Sequence, residues 1–192
     1  MAITYSLCVA CCGSDDDMYN YSVTEVSNDH LIEIENNQNV FNVNEVINIS
    51  TIIENLQTTV NDDSILITDY ISETVSENFL YYYLTVYRLN SNGTVSIYGL
   101  TDENLVVSGN SAVIDSESLS VIVNFDGSRF TSNLGLKISE PGTYYISGVQ
   151  TYYGSIPGKV QIIPVSGRNE GLIINSKIIN SNEEDRYVLT IE

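Results

Sequence analysis

Phe79-Leu80-Tyr81-Tyr82-Tyr83-Leu84-Thr85-Val86-Tyr87-Arg88-Leu89, then Asn92-Gly93, then Thr94-Val95-Ser96-Ile97-Tyr98, is the stretch on which the fold turns. Aromatic and β-branched residues fit a pleated, half-buried surface, and Asn-Gly is a preferred tight turn between two such runs. The stretch therefore reads as a β-hairpin. With a loop of two or four residues, odd positions on one arm face even positions on the other. That parity puts Leu80, Leu84 and Val86 with Val95 and Ile97 on an aliphatic core face. It puts Tyr81, Tyr83 and Tyr87 with Ser96 and Tyr98 on the opposite face. A stripe of tyrosines, each a flat apolar ring with a polar tip, suits contact with a sugar or a protein. It suits equally well a place beneath a loop, with the hydroxyls reaching water.

Outward from the hairpin the same period of two recurs. Ile47, Ile49, Thr51 and Ile53 alternate with Asn48, Ser50 and Ile52, and Ile32 and Ile34 oppose Leu31, Glu33 and Glu35. Tyr21 to Val26, Ile65 to Ile71, Asn104 to Val107, Ser111 to Asp115, Ser118 to Phe125 and Leu134 to Ile138 extend the series. Tyr144 to Val149, Lys159 to Val165, Gly171 to Ile179 and Arg186 to Ile191 complete it. Asn61-Asp62-Asp63-Ser64 and Asp126-Gly127-Ser128 supply turns. Short strands at turn-punctuated spacing, with no amphipathic helix, predict an all-β chain folded as an antiparallel β-sandwich. Pro141-Gly142-Thr143 entering a tyrosine-rich strand resembles the penultimate strand of immunoglobulin-like and fibronectin-like sandwiches. The resemblance implies an immunoglobulin-like fold in which a tyrosine closes a corner.

Twenty-five acidic residues against seven basic ones give a net charge of −18. The asymmetry is regional, since no Lys or Arg precedes Arg88. A field of this sign repels phosphate backbones and anionic headgroups, so nucleic acid is not an expected partner. No apolar run reaches the ~18 residues of a membrane helix, so membrane attachment is expected only through lipid.

Leu7-Cys8-Val9-Ala10-Cys11-Cys12-Gly13-Ser14-Asp15-Asp16-Asp17 closes a short apolar run on small residues and turns abruptly acidic. It resembles the lipoprotein signals of Bacteroidota, in which an acylated cysteine precedes a Gly/Ser and Asp run that directs export to the outer leaflet. The resemblance implies acylation at Cys12, with Cys11 as the alternative, and a surface-exposed lipoprotein of the outer membrane. The basic residues that open such signals are absent, which leads to the expectation of a start upstream of Met1. Residues 1–11 then read as a signal remnant, 12–20 as the lipidated cysteine with its acidic tether, and 21–192 as one sandwich domain. A split near Gly109 is the alternative. A zinc or redox role for Cys8, Cys11 and Cys12 with His30 lacks the second ligand pair and the strand-to-helix setting such sites use.

The inventory of catalytic groups is thin. His30 is the sole histidine, no G-x-S-x-G elbow is present, and H-E-x-x-H and EF-hand patterns are missing. Glu33 with Glu35, or Asp62 with Asp63, are sequence neighbours rather than carboxylates placed across a cleft. The expectation is a non-enzymatic, cofactor-free, lipid-anchored envelope protein that binds a glycan or other ligand. Its contacts would come from Tyr81, Tyr83, Tyr87 and Tyr98, or from Tyr152 and Tyr153 in the loop Gln150 to Gly158. The alternative is a structural subunit of an envelope or fimbrium-like complex, with an envelope protein as partner.

Overall fold

The computed structural model describes residues 22–71, 78–107, 112–115, 117–149, 158–165 and 170–192. Cys11, Cys12, the acidic tether, Tyr152 and Tyr153 lie outside the described residues. The chain is a predominantly antiparallel β-sandwich, organised around one long strand. β1 is Ser22–Ser27, β2 Ile32–Ile34, β3 Val40–Phe41, β4 Val46–Glu54, β5 Leu56–Thr58, β6 Ser64–Leu66, β7 Phe79–Leu89 and β8 Val95–Ile97. The series continues with β9 Leu105–Val107, β10 Ala112–Asp115, β11 Ser118–Phe125, β12 Arg129–Lys137 and β13 Gly142–Gly148. It ends with β14 Val160–Pro164, β15 Glu170–Ser176 and β16 Tyr187–Ile191. Three short 3-10 turns, at Glu35–Asn37, Ile67–Tyr70 and Asp102–Asn104, are the helical elements among the described residues.

β7 is long enough to take different partners along its length. Its first half pairs with β11 on one side and β14 on the other, and its second half with β8 and β13. From β14 the sheet runs on through β15 to β1, and from β13 through β16 to β3. β1 and β3 join in parallel, each at an edge. The opposed layer is β2-β4-β12-β9. β11 and β12 stay paired for only two positions beyond their turn, Asn124↔Thr131 and Phe125↔Phe130, and then part into different layers. Asp126 makes that turn by accepting hydrogen bonds from the N–H groups of Ser128 and Arg129 at 2.9 Å, which hold its carboxyl well down, at about 2.

Alternation builds the core. Leu80, Tyr82, Leu84 and Val86 of β7 face inward with Leu119, Val121 and Val123 of β11, and meet Ile47, Ile49, Thr51 and Ile53 of β4. The buried apolar residues form one cluster from Val26 to Ile191, drawing on strands either side of residue 109. Tyr82 crosses between the layers, and its hydroxyl shares a hydrogen bond of 2.7 Å with Thr51 Oγ1. Burial pushes the Tyr82 hydroxyl up to about 12, against the opposing effects of Thr51 and nearby Ser132. At one end of the core Tyr144 is fully buried and its hydroxyl donates to the Glu140 carbonyl at 2.9 Å, four residues upstream. This is the tyrosine closing a corner that the Pro141-Gly142 turn implied. The Tyr98 ring stands edge-on to Tyr144 at 5.2 Å. Arg88 lies over Tyr144 and pairs with Glu140.

The hairpin register corrects the parity expected from sequence. Leu89 pairs with Val95, and Asn90 N–H donates to the Thr94 carbonyl, so Ser91-Asn92-Gly93 is a loop of three residues with Gly93 at φ +80°. A three-residue loop of this kind places its glycine in the left-handed region. Odd positions therefore face odd positions. Tyr87 sits opposite Ile97, so Val95 and Ile97 leave the expected core and are exposed on the tyrosine face. Tyr98 moves the other way and packs against the core.

Candidate functional site

The outward face of the β7 layer follows from the register, because paired residues in a ladder point to the same side. On β7 it carries Tyr81, Tyr83 and Tyr87, all half-buried. Ser120 and Ile122 of β11 flank Tyr83 and Tyr81, and Ile163 of β14 lies on the far side of Tyr81. Along the second half of the strand Tyr87 lies between Ile97 of β8 and Tyr145 of β13, and Val188 of β16 follows Tyr145. The exposed aliphatics Val23, Val40, Val95, Ile97 and Val113 all belong to this face. Among the described residues the outward positions of β7, β8, β11, β13 and β14 carry no charge, and Glu25 stands on the outermost strand β1. A broad strip free of charge is unusual on a chain with net charge −18.

Within the strip Tyr81 and Tyr83 pack edge to face, centroids 5.9 Å apart and planes at 80°. The two rings thus present different aspects outward rather than one continuous aromatic platform. Of the tyrosines singled out from sequence, the structure brings Tyr81, Tyr83 and Tyr87 together and separates Tyr98 from them. Sequence reading missed Tyr145, Ile122 and Ile163, whose membership depends on which distant strands flank β7.

The strip is interrupted where β13 passes into β14. Both strands pair with the same edge of β7, β13 reaching Leu84 through Gly148 and β14 reaching Tyr81 through Ile163. Gly148 N–H donates to the Gly158 carbonyl at 3.1 Å, so the end of β13 and the residues that open β14 meet at one point, beside Tyr83. Lys159 next to this point binds Asp29 at 2.7 Å, and Lys177 reaches both Asp29 and Asp185. Burial opposes ionisation of Asp29, but the hydrogen bonds and charges of the two lysines outweigh it and hold its pKa below the usual carboxylate value.

The residues weighed for catalysis are dispersed. His30 is exposed, its backbone N–H bonded to Asn28 Oδ1. Glu35 accepts a hydrogen bond from Asn48, and Asp62 and Asp63 lie in the turn between β5 and β6. Among the described residues no group of three or more His, Cys, Asp or Glu side chains is gathered as a metal site would need. No described helix is long and apolar enough to cross a membrane.

No family model matches the sequence, and no curated protein matches it. The solved structures similar to the chain include two of cohesins. One is a type II cohesin dyad from the adaptor ScaA scaffoldin of Acetivibrio cellulolyticus, with TM-score 0.39 and 12% identity over 89% of this chain and 49% of that one. This chain thus spans about half the length of the dyad. The other is a type II cohesin domain from the cellulosome of the same organism, with TM-score 0.35 and 13% identity over 83% of this chain and 94% of that one.

Proposed function

We propose that this chain is a non-enzymatic binding module that engages an envelope protein through the outward face of the β7 layer, held at the outer membrane surface by acylation of Cys12. The observation that carries the reading is the charge-free strip of tyrosines and exposed aliphatics across that layer. Interface cores are depleted in charge and enriched in tyrosine, and contiguous exposed apolar surface on a soluble domain marks a place of contact. The edge-to-face packing of Tyr81 and Tyr83 favours a protein over a glycan, since a sugar stacks best on a ring presented flat. The anchor rests on Val9-Ala10 before Cys11-Cys12 and the Gly13 to Asp17 tail. Two acyl chains would hold the protein stably where one binds only marginally.

One set of variants tests both parts. Tyr83→Ala with Tyr87→Ala should abolish co-purification of the envelope partner, since a few aromatic anchors dominate such contacts, while leaving the fold intact. Ile52→Ser, at an exposed position on β4 in the other layer, should leave binding unchanged. Undiminished capture by the double variant, or capture of free glycan lost with it, would overturn the protein-binding reading. Cys12→Ala should release the chain from membranes. Release by Cys11→Ala alone would move the anchor by one residue.

A further inference from the structure

The tyrosine strip reaches the border of its sheet at β8, and the ladder with β7 fixes which way each backbone group of that strand points. Tyr98 N–H donates to the Val86 carbonyl at 2.8 Å and Asn90 N–H to the Thr94 carbonyl at 2.8 Å, so the even residues of the returning strand turn to β7. Alternation turns the N–H and C=O groups of Val95 and Ile97 the other way. Among the described residues nothing donates to them or accepts from them. Both side chains are exposed, and a Cβ built at Gly99, the next odd position, meets nothing within 4 Å.

Two other edges of the same layer are closed. Val60 N–H of the β5–β6 hairpin donates to the Glu25 carbonyl of β1 at 3.0 Å, and Gln38 Nε2 donates to the Val40 carbonyl of β3 at 2.7 Å. Sheet edges are commonly blunted by charge, proline or a bulge. β8 has none of these, for neither a charged residue nor a proline stands between Arg88 and Asp102, and its register with β7 is unbroken. Its restraint is length, three residues, which limits any contact to a short segment.

We propose that β8 receives an extended segment of the envelope partner, which adds to the sheet as a further strand. The identity of the partner rests on the reading above, whereas the open edge does not. The outward groups of Val95 and Ile97 stand about 7 Å apart, the spacing of alternate residues in an extended chain, and main-chain hydrogen bonds supply the affinity in this mode of binding. Outward side chains of the added strand fall beside Ile97 and lengthen the row of Ile97, Tyr87, Tyr145 and Val188. Charge selects the occupant. On a chain of net charge −18 a second copy brings like charge, while a segment flanked by Lys or Arg is attracted.

The probe is an acetylated and amidated peptide of alternating threonine and valine with a lysine at each end, titrated into the full chain and followed by amide chemical shifts and hydrogen exchange. Shifts should saturate and centre on residues 94–99. Exchange at the Val95 and Ile97 N–H groups should slow about tenfold once free peptide stands at about ten times its Kd, while Ser96, already turned to β7, changes little. The same peptide N-methylated at every core position should not bind, a control that leaves the protein untouched, and a glutamate-ended peptide should bind more weakly. Ile97→Pro removes an outward N–H and no ladder bond, a place where proline is tolerated, so it should fold and lose both peptide binding and partner capture. No saturable binding of the lysine-ended peptide, or equal binding of either control peptide, would overturn the inference. Full partner capture by Ile97→Pro would overturn it as well, even where Tyr83→Ala with Tyr87→Ala abolishes capture and the strip stands. A dimer of the free chain that Ile97→Pro dissolves would give the edge to a second copy and overturn the assignment to a partner.

Discussion

Gly148→Ala is expected to destabilise the domain by about 3 kcal/mol or more, the upper range for forcing extra volume into a packed site. A methyl group at this position would overlap the carbonyl oxygen of Lys159 and lie 2.8 Å from Val160 Cα. Both obstacles are backbone, so no side chain can swing aside. The only relief is to move the start of β14 away from the end of β13. That motion would break the Gly148–Gly158 hydrogen bond and pull Lys159 from Asp29. Small domains hold about 5–15 kcal/mol in total, so the loss is a large fraction. Denaturant melts of Gly148→Ala and Gly99→Ala make the measurement. Nothing lies within 4 Å of a Cβ built at Gly99, so that variant should fold normally. Equal midpoints for the two would show that β13 and β14 do not meet as described.

How far the sequence reveals this architecture depends on whether the deciding interaction is local. β4 is legible because Ile47, Ile49, Thr51 and Ile53 are all fully buried on one side, so the period of two is written in the residues. β11 spans Ser118–Phe125, the run its β-branched residues predict. Ile65 to Ile71 reads as one strand but divides into β6 and a 3-10 turn at Ile67–Tyr70. There Ile67 and Ile71 are both buried, but Asp69, which alternation would place beside them, is exposed. β12 begins at Arg129, five residues before the predicted Leu134, because the polar stretch Arg129 to Asn133 is fixed by its ladder with β4 and not by its own character. β3, two residues long, pairs with β16 from the far end of the chain and leaves no local signal. The candidate strip shows the same division. Three of its tyrosines lie on one strand and are visible together. Tyr98 was misplaced by one residue of loop length, which reverses every side chain of a returning strand.

Tyr82→Ala is expected to cost about 3–5 kcal/mol, the range for removing a large aromatic side chain from a core. Sequence places Tyr82 between Tyr81 and Tyr83, three residues of one type in a row, yet alternation sends the middle ring inward and its neighbours out. Tyr82 is fully buried and bridges to Thr51 on the facing layer, so its loss leaves a cavity where the two sheets meet. Tyr82→Phe keeps most of the packing and strands the Thr51 hydroxyl in the core. There Ser132 Oγ already lacks a partner of good geometry, and the orphaned group should cost about 1–3 kcal/mol. Tyr83→Ala, at a half-buried position on the outward face, should cost markedly less than Tyr82→Ala while removing binding. Chemical denaturation of the three variants ranks them, and binding measured on the same samples separates contact from folding. A Tyr83→Ala loss as large as that of Tyr82→Ala would place the tyrosine strip inside the structure and leave the molecule without its proposed contact surface. The opposite order, with Tyr82→Ala nearly neutral, would contradict the packing of the two layers through Tyr82.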